Sequence, residues 1–378
     1  MNAAVASGPL RDDERAEVLD ALRALLDPLA IDSCVHAVRV FLIREKFLSL
    51  FALLFGISFG VQLESAIRGG AVFGWRFCRR LAALFVIGAA HAAIWYGDIL
   101  KDYALLGLAL LPAARWSARR VVAVAALLLL VRLAWPLLIY TVSMAVEHAH
   151  AGAPPDQVFA EGVTGLARGP AVIFRQNLQL VSLKAQQMVY EGRFLTILTM
   201  FFIGAWIGKL GVYRDLARYR GLLARTLVVC GAIGLGMETA RLPFQYATNL
   251  LPPTRDWVMV QSLTALAAPA LSLAYGSAFA LVWLALRGRY LRALAPVGRT
   301  ALTSYVSQTL LCTVAFAWLG LGRGLGATGC LAAAALIFAV QCMLSRAWLH
   351  HFRFGPLEWI WRCATYGKLI EMNVPGRA

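Results

Sequence analysis

The residues that could do chemistry are polar side chains inside long apolar stretches, where an unpaired polar group is costly. His91 stands in IGAAHAAIWYGD, and Asp98 follows seven residues later. If the helix continues to Asp98, both lie on one face, about 10 Å apart along its axis. A histidine titrates near neutral pH, so a carboxylate beside it could orient it as a general base. The alternative is structural: a histidine hydrogen-bonded to a neighbouring helix and an aspartate that ends its own helix.

Two more polar residues follow directly on the next predicted helix. Asp102 is the last residue of the short connection GDILKD, and Tyr103 follows it directly. Together with His91 and Asp98, they are predicted to form a polar cluster near the outer face of the membrane. In that cluster Asp102 and Tyr103 are candidate substrate contacts.

Arginines provide the second set of candidates. Arg132 lies in the middle of LLLLVRLAWPLL, where it must pair, reach the interface or face water. It either contacts an anionic substrate in a cavity or holds the bundle together through an ion pair or backbone contact. Arg79 and Arg80 stand at the predicted cytoplasmic end of their helix. They either set topology and contact lipid headgroups or bind a phosphorylated donor such as an acyl-coenzyme A.

A stripe of hydroxyl and amide side chains recurs at helical spacing in a later apolar segment. Its members are Thr300, Ser304, Ser307 and Gln308. Such a stripe is more often interhelical hydrogen bonding than a substrate path. Gln308 is nevertheless retained as a candidate substrate contact, and Gln341 has the same two interpretations.

The composition excludes a soluble or disordered chain. The 378 residues are 60% hydrophobic and only 15% charged, against about 45–50% apolar and about 25% charged in soluble domains. The net charge of +16 is spread over alternate loops, which is typical of basic cytoplasmic loops and not of a nucleic-acid surface. The expected partner is the lipid bilayer. The sequence indicates no nucleic-acid partner, no metal site among its seven cysteines and no oligomeric state.

Apolar stretches near the length needed to cross a hydrocarbon core predict an all-α, polytopic transmembrane helix bundle of about nine spans. The predicted spans are residues 47–66, 81–97, 99–113, 120–144, 192–211, 221–240, 261–286, 300–319 and 328–349. The polar connection at 145–190 contains RQNLQLVSLKAQQ, which is typical of a surface or interfacial helix.

Basic residues in the short loops set the orientation. Fifteen lysines and arginines fall on one side of the predicted bundle and four on the other. This asymmetry predicts a cytoplasmic C-terminus. It also places the N-terminus and the 145–190 connection outside.

Several stretches together resemble the YeiB-like family, a bacterial membrane family of unknown function (domain of unknown function four-one-eight). They are KFLSLFALLFGISFG at 46–60, RRLAALFVIGAAHAAIWYGDILKDYALLGL at 79–108, FFIGAWIGKLGVYR at 201–214, GRTALTSYVSQTLLC at 298–312 and GPLEWIWRCATYGK at 355–368. The resemblance implies a bacterial inner-membrane protein. It also implies a distant relation to membrane acyltransferases that move acyl groups to sugars across a bilayer.

The N-terminal end departs from the family pattern. VLDALRALLDPLAI at 18–31 is similar to the start of the family's first spanning helix, but no apolar run of about 20 residues follows. Residues 1–45 are therefore expected to be a polar segment, truncated or divergent, without the apolar core of a signal peptide. The YeiB-like transmembrane domain is assigned to residues 46–370, and a short tail to 371–378.

Three functions remain open from the sequence. The first is a membrane acyltransferase-like enzyme with a cytoplasmic acyl-coenzyme A donor, His91 as base, and an extracytoplasmic or lipid-linked acceptor. The second is a transporter or permease whose water-filled path is lined by Arg132, Gln308 and Gln341. The third is a non-catalytic membrane scaffold in which the polar residues serve only packing.

Overall fold

The computed structural model describes residues 28–43, 45–70, 73–149, 170–247, 254–318, 320 and 325–374. Across these ranges the chain is helical and forms no strand, apart from one isolated bridge between Phe352 and Asn373. The α-helices are α1 (Pro28–Leu42), α2 (Lys46–Arg68), α3 (Phe73–Ile94), α4 (Leu100–Gly107), α5 (Ala118–Ala149), α6 (Pro170–Tyr190), α7 (Arg193–Leu210), α8 (Arg220–Arg241), α9 (Arg255–Ala285), α10 (Ala295–Arg299), α11 (Ala301–Cys312), α12 (Ala327–His351) and α13 (Pro356–Tyr366). The all-helical class predicted from the sequence is confirmed for this part of the chain.

Six helices of the described chain are long and apolar enough to cross a membrane. They are α3, α5, α7, α8, α9 and α12. The predicted count of about nine spans is not confirmed. Helix α2 has 23 residues but is not one of these six.

The two other predicted spans are interrupted. The stretch 99–113 forms only the eight residues of α4, followed by two 3-10 turns, the second starting at Pro112. Eight helical residues cover about 12 Å, well short of a bilayer core. The stretch 300–319 forms the twelve residues of α11 and then a π-helical turn at Thr313–Trp318. Both pieces pack beside α3, where they contribute to the site described below.

The connection at 145–190 is only partly described. Its predicted helix RQNLQLVSLKAQQ is confirmed as part of α6, which is not one of the six apolar helices and packs on α3 and α7. Residues 150–169 of the connection lie outside the described residues. So do residues 1–27 of the polar N-terminal segment and residues 375–378 of the tail.

Helices α2 and α7 meet backbone to backbone through paired glycines. A Cβ placed on Gly56 would collide with the carbonyl oxygen of Phe201 and lie 2.9 Å from the Cα of Gly204. A Cβ on Gly204 would collide in turn with the carbonyl oxygen of Leu53. The GxxxG spacing of Gly56 and Gly60 therefore serves close packing, as such spacing does in membrane helices. Around this contact the core is apolar and contains the buried rings of Phe59 and Phe201.

The contact predicts an unequal response to two identical substitutions. Gly56→Ala should destabilise the protein by roughly 1–3 kcal/mol, because the added methyl group meets backbone that cannot rotate away. Gly236→Ala on α8 adds the same methyl group to open space, so it should leave stability unchanged or raise it by up to about 1 kcal/mol. Melting of the two detergent-purified variants, followed by tryptophan fluorescence, measures the difference. Equal melting temperatures would contradict this account of the α2–α7 contact.

Candidate functional site

A buried histidine–aspartate pair lies where α3 ends. The Nδ1 of His91 lies 2.8 Å from Oδ1 of Asp98, so the ring donates its Nδ1–H to the carboxylate. The other carboxylate oxygen accepts the backbone N–H of Lys101 at 2.9 Å, at the start of α4. His91 is 2% exposed and Asp98 is fully buried. The Nε2 of His91 is buried and has no hydrogen-bond partner among the described residues.

The route by which this pair forms differs from the prediction. His91 and Asp98 do not share a helical face, because α3 ends at Ile94 and the chain turns back before Asp98. This reversal carries the carboxylate to the imidazole ring instead of 10 Å beyond it. Gly88 permits the close approach, since a Cβ there would collide with the backbone nitrogen of Lys101.

Charged side chains lie next to the pair. Asp102 lies 2.6 Å from Nζ of Lys101 and 3.1 Å from Nζ of Lys184. Lys184, on α6, also donates to the backbone carbonyl of Asp98. Burial lowers the pKa of the Lys184 ammonium group, and the negative charge of Asp102 opposes that shift. Lys184 was not identified from the sequence; its only signal was a lysine within the predicted interfacial helix.

An aromatic residue covers the imidazole ring. The ring centroid of Tyr305, on α11, lies 5.0 Å from that of His91, and its hydroxyl accepts the backbone N–H of Ile99 at 3.4 Å. Tyr305 was missed as a candidate, although it stands in the quoted stretch GRTALTSYVSQTLLC. The site is therefore built from the end of α3, the start of α4, one side chain of α6 and one of α11.

Tyr103 does not join this cluster. Its hydroxyl donates to the backbone carbonyl of Leu48 at 2.5 Å, and its ring lies edge-on to Phe55 and Phe201 in the core. The predicted four-residue cluster is corrected to three residues, because neighbours on a helix point about 100° apart. Asp102 faces the lysines, and Tyr103 faces α2.

A second buried charge cluster ties α2 to α8, and it was not predicted. Lys46 Nζ lies 2.7 Å from Oε1 of Glu238, with side-chain exposures of 2% and 1%. Arg241 Nη2 lies 2.6 Å from the other carboxylate oxygen. Little in the sequence indicates this contact, since Lys46 and Glu238 lie 192 positions apart at the ends of apolar runs.

Arg132 is buried beside the first turn of α2. Its Nε donates to Thr196 at 3.1 Å and its Nη2 to the side-chain oxygen of Gln261 at 3.4 Å. Its Nη1 has no hydrogen-bond partner in the described chain. The adjoining cavity, also lined by Glu45 and Arg193, has about 10 Å³ for a water-sized sphere, which is room for about one water molecule. Arg132 thus holds α5 against α7 and α9.

Gln308 takes part in a network between α11 and α12. Its amide donates to Oε1 of Gln341 at 2.7 Å, and Gln341 donates in turn to the backbone oxygen of Ser304 at 2.8 Å and to Ser307 at 3.0 Å. No hydrogen bond between described residues connects this network to Arg132. The polar stripe of the sequence therefore corresponds to interhelical hydrogen bonding.

The first third of α3 carries the two predicted arginines, which lie inside the helix and not at its end, because α3 begins at Phe73. Arg79 donates to the backbone oxygen of Ala364 at 2.7 Å. The guanidinium of Arg80 stacks on the Trp361 ring, 3.8 Å from its centroid, and lines a cavity of about 300 Å³ between α3, α11 and α13. Both arginines thus contact α13, but only Arg80 faces the cavity.

One face of α3 connects the cavity to the buried pair. Arg80, Leu84, Gly88 and His91 follow one another at intervals of three or four, so they lie on the same side of the helix. Leu84 packs with Leu302 and Ala104 in a buried apolar layer. Eleven residues of α-helix separate Arg80 from His91, which is about 16 Å along the axis. A basic cavity, an apolar layer and a histidine–aspartate pair thus occur in that order.

This fold and these buried charges are those of a polytopic helical membrane protein. The chain belongs to the YeiB-like DUF418 family, which confirms the resemblance found in the sequence. A model of that family, described as "Protein of unknown function (DUF418)", matches residues 207–368. The matched part includes Glu238, Tyr305 and Trp361 but not His91.

The relatives cover most of this chain. It is 31% identical over 340 residues to "Uncharacterized protein YeiB" of Escherichia coli (strain K12), covering 85% of this chain and 82% of that protein. It is 29% identical over 349 residues to "Uncharacterized protein YxaH" of Bacillus subtilis (strain 168), covering 86% and 80%. An "Uncharacterized 39.9 kDa protein in amylase 3'region" of Bacillus acidopullulyticus is 24% identical over 388 residues, covering 95% and 96%. No solved structure matches the chain significantly.

Proposed function

We propose that this protein is a membrane acyltransferase-like enzyme that modifies an extracytoplasmic or lipid-linked acceptor. The observation that carries the proposal is the single face of α3 bearing Arg80 in its first third and His91 near its C-terminal end. A phosphorylated donor and a hydroxyl acceptor need opposite chemistry: cations for the phosphates, and a general base for the hydroxyl. Helix α3 offers both, with Arg80 as the cation and His91 as the base.

The proposed step uses the His91–Asp98 pair. Asp98 accepts the Nδ1–H of His91, which leaves the Nε2 lone pair free to take a proton from the acceptor hydroxyl. The acceptor oxygen attacks the thioester carbonyl, and the carbon–sulfur bond breaks. The thiolate of the leaving group takes up the proton that His91 accepted. Atoms and charges balance without a metal or redox partner.

The donor in this proposal is an acyl-coenzyme A that approaches from the cytoplasm. Arg80 would contact its phosphates, and Arg79 would hold α13 in place. The acyl arm would reach His91 through the apolar layer of Leu84 and Leu302, which must part to admit it. On the acceptor side, Asp102 and Lys184 are polar groups that lie next to the pair.

The orientation required by this proposal is the one that the basic loops predict. The protein would lie in a bacterial inner membrane with the C-terminus in the cytoplasm. Arg80 and α13 would face the cytoplasm, and the His91 end of α3 would lie near the outer surface.

Transport has weaker support from the geometry. A transport path would need Arg132, Gln308 and Gln341 to line one continuous cavity. Arg132 instead adjoins a cavity of one-water size, and the two glutamines bond to each other. Packing and bundle stability account for both groups.

The proposal is tested with purified protein in liposomes. Radiolabelled acetyl-coenzyme A, supplied on the side of the basic loops, should yield free coenzyme A, and label should appear on added membrane glycolipid. The same protein in liposomes loaded with donor on the opposite side should give at least tenfold less product. Equal turnover from both sides, or none in either orientation with several glycan and lipid acceptors, would contradict the proposal.

A further inference from the structure

We infer that the cavity between α3, α11 and α13 is a phosphate-binding site built from four arginines, which names the ligand class on the donor side of the proposed function. Four guanidinium groups line it: Arg80, Arg299, Arg353 and Arg362. Only Arg80 was identified from the sequence. The other three stand 219 to 282 positions further along the chain and meet Arg80 only in the fold.

The four arginines outnumber the one carboxylate of the cavity lining, that of Glu358. Within the described residues, none of the four forms a salt bridge. Glu358 forms no salt bridge with any of the four arginines and is hydrogen-bonded to the start of α11 instead. Its oxygens accept the backbone N–H of Leu302 at 2.6 Å and the hydroxyl of Thr303 at 2.6 Å, at the first turn of α11. Four guanidinium groups against one carboxylate leave an excess of positive charge in the cavity, which favours an anion of high charge.

Several contacts fix the arginines in place before a ligand binds. The Trp361 ring stacks under Arg80, and its indole N–H donates to the backbone oxygen of Arg80 at 2.8 Å. Arg299 donates to the backbone oxygen of Arg353 at 2.9 Å, and Arg362 lies 4.5 Å from the centroid of the Phe354 ring. Guanidinium groups held on aromatic faces lose less freedom when they bind phosphate than free side chains would.

Size and access both suit a phosphate ester. The cavity volume of about 300 Å³ is at the lower end of small-molecule sites, which is enough for the phosphate part of a ligand and not for all of a large cofactor. Arg299, Arg353 and Arg362 are exposed, so the cavity is reached from the end of the bundle that carries the basic loops. The ligand class is a phosphate mono- or diester, from a soluble phosphorylated cofactor or from a lipid headgroup.

The test is titration of inorganic pyrophosphate into the protein in nanodiscs of zwitterionic lipid, measured by calorimetry. We expect saturable binding that Arg362→Gln weakens at least tenfold. Arg362 is exposed, so this variant should fold; Arg80→Gln, checked first by thermal melting, should weaken binding by at least as much. The matched control is Arg76→Gln, one turn before Arg80 and exposed, which should change affinity by less than twofold. No saturable binding, or equal weakening by Arg76→Gln, would overturn the site.

Two further experiments are needed. The first distinguishes a soluble cofactor from a lipid headgroup as the source of the phosphate, and the second tests the phosphate site independently of the proposed enzyme activity. Competition by coenzyme A would assign a soluble cofactor, and competition by phosphatidic acid in the disc would assign a lipid headgroup; either supports the phosphate site. His91→Ala should bind pyrophosphate as tightly as the wild type. If the wild-type protein binds pyrophosphate but transfers no acyl group, the proposed enzyme activity is refuted and the phosphate site stands.

Discussion

Replacing His91 with alanine should lower acyl-transfer activity by roughly 10²–10⁴-fold, the usual contribution of a positioned general base. The protein should still accumulate and remain folded, because removing the ring leaves Asp98 bound to the backbone N–H of Lys101. Asp98→Asn should lower activity as well, since the amide no longer favours the Nδ1–H tautomer. The measurement is release of coenzyme A in the liposome assay, at several pH values.

A matched histidine serves as the control. His350 is exposed at the end of α12 and lines neither of the two cavities, so His350→Ala should retain wild-type turnover. If His91 serves only packing, the activity of His91→Ala should fall only in proportion to the amount of folded protein. Normal turnover by folded His91→Ala would exclude the residue from catalysis.

Breaking the Lys46–Glu238 pair should have the largest effect on stability. Glu238→Gln removes the shared carboxylate from the buried Lys46 and the partly exposed Arg241, and it should cost about 3–5 kcal/mol. Lys46→Met should cost clearly less, because Glu238 keeps its bond to Arg241 at 2.6 Å. The double variant Lys46→Met with Glu238→Gln should recover stability relative to Glu238→Gln alone. Melting temperatures of the purified variants in detergent rank the three proteins.

The control for this series is another glutamate-to-glutamine change. Glu371 is exposed near the C-terminus, and Glu371→Gln should alter stability by less than about 0.5 kcal/mol. Equal melting temperatures for Lys46→Met and Glu238→Gln would contradict this account of the buried pair. A double variant less stable than both single variants would contradict it as well. A double-mutant cycle gives the coupling between the two charges directly.

Much of the fold could be predicted from the sequence because lipid exposure leaves a long apolar signal. The helices α5, α7, α8, α9 and α12 begin and end within a few residues of predicted spans, apart from the extra residues at the start of α9 and the end of α5. The segments 99–113 and 300–319 were harder, because the α-helix gives way to 3-10 turns in the first and to a π-helical turn in the second. Hydropathy does not show where an apolar stretch leaves α-helical geometry.

The site was only partly predictable, for a related reason. His91 and Asp98 are seven residues apart, so their proximity was visible, although the turn that brings them together was not. The four-arginine cavity and the Lys46–Glu238 pair join residues from distant parts of the chain, and single-sequence periodicity contains no information on such contacts. The converse holds for Asp102 and Tyr103. They are adjacent in the chain, but their side chains face different neighbours.

The apolar layer formed by Leu84, Ala104 and Leu302 has a consequence for the energetics of the cell. A wet passage along α3, from the arginine cavity to the histidine, would let protons leak down their electrochemical gradient and would dissipate the energy stored there. Three small and aliphatic side chains leave no polar group to support a chain of water molecules. In the proposed orientation, the bundle would thus carry ionisable groups near both surfaces and still insulate one compartment from the other.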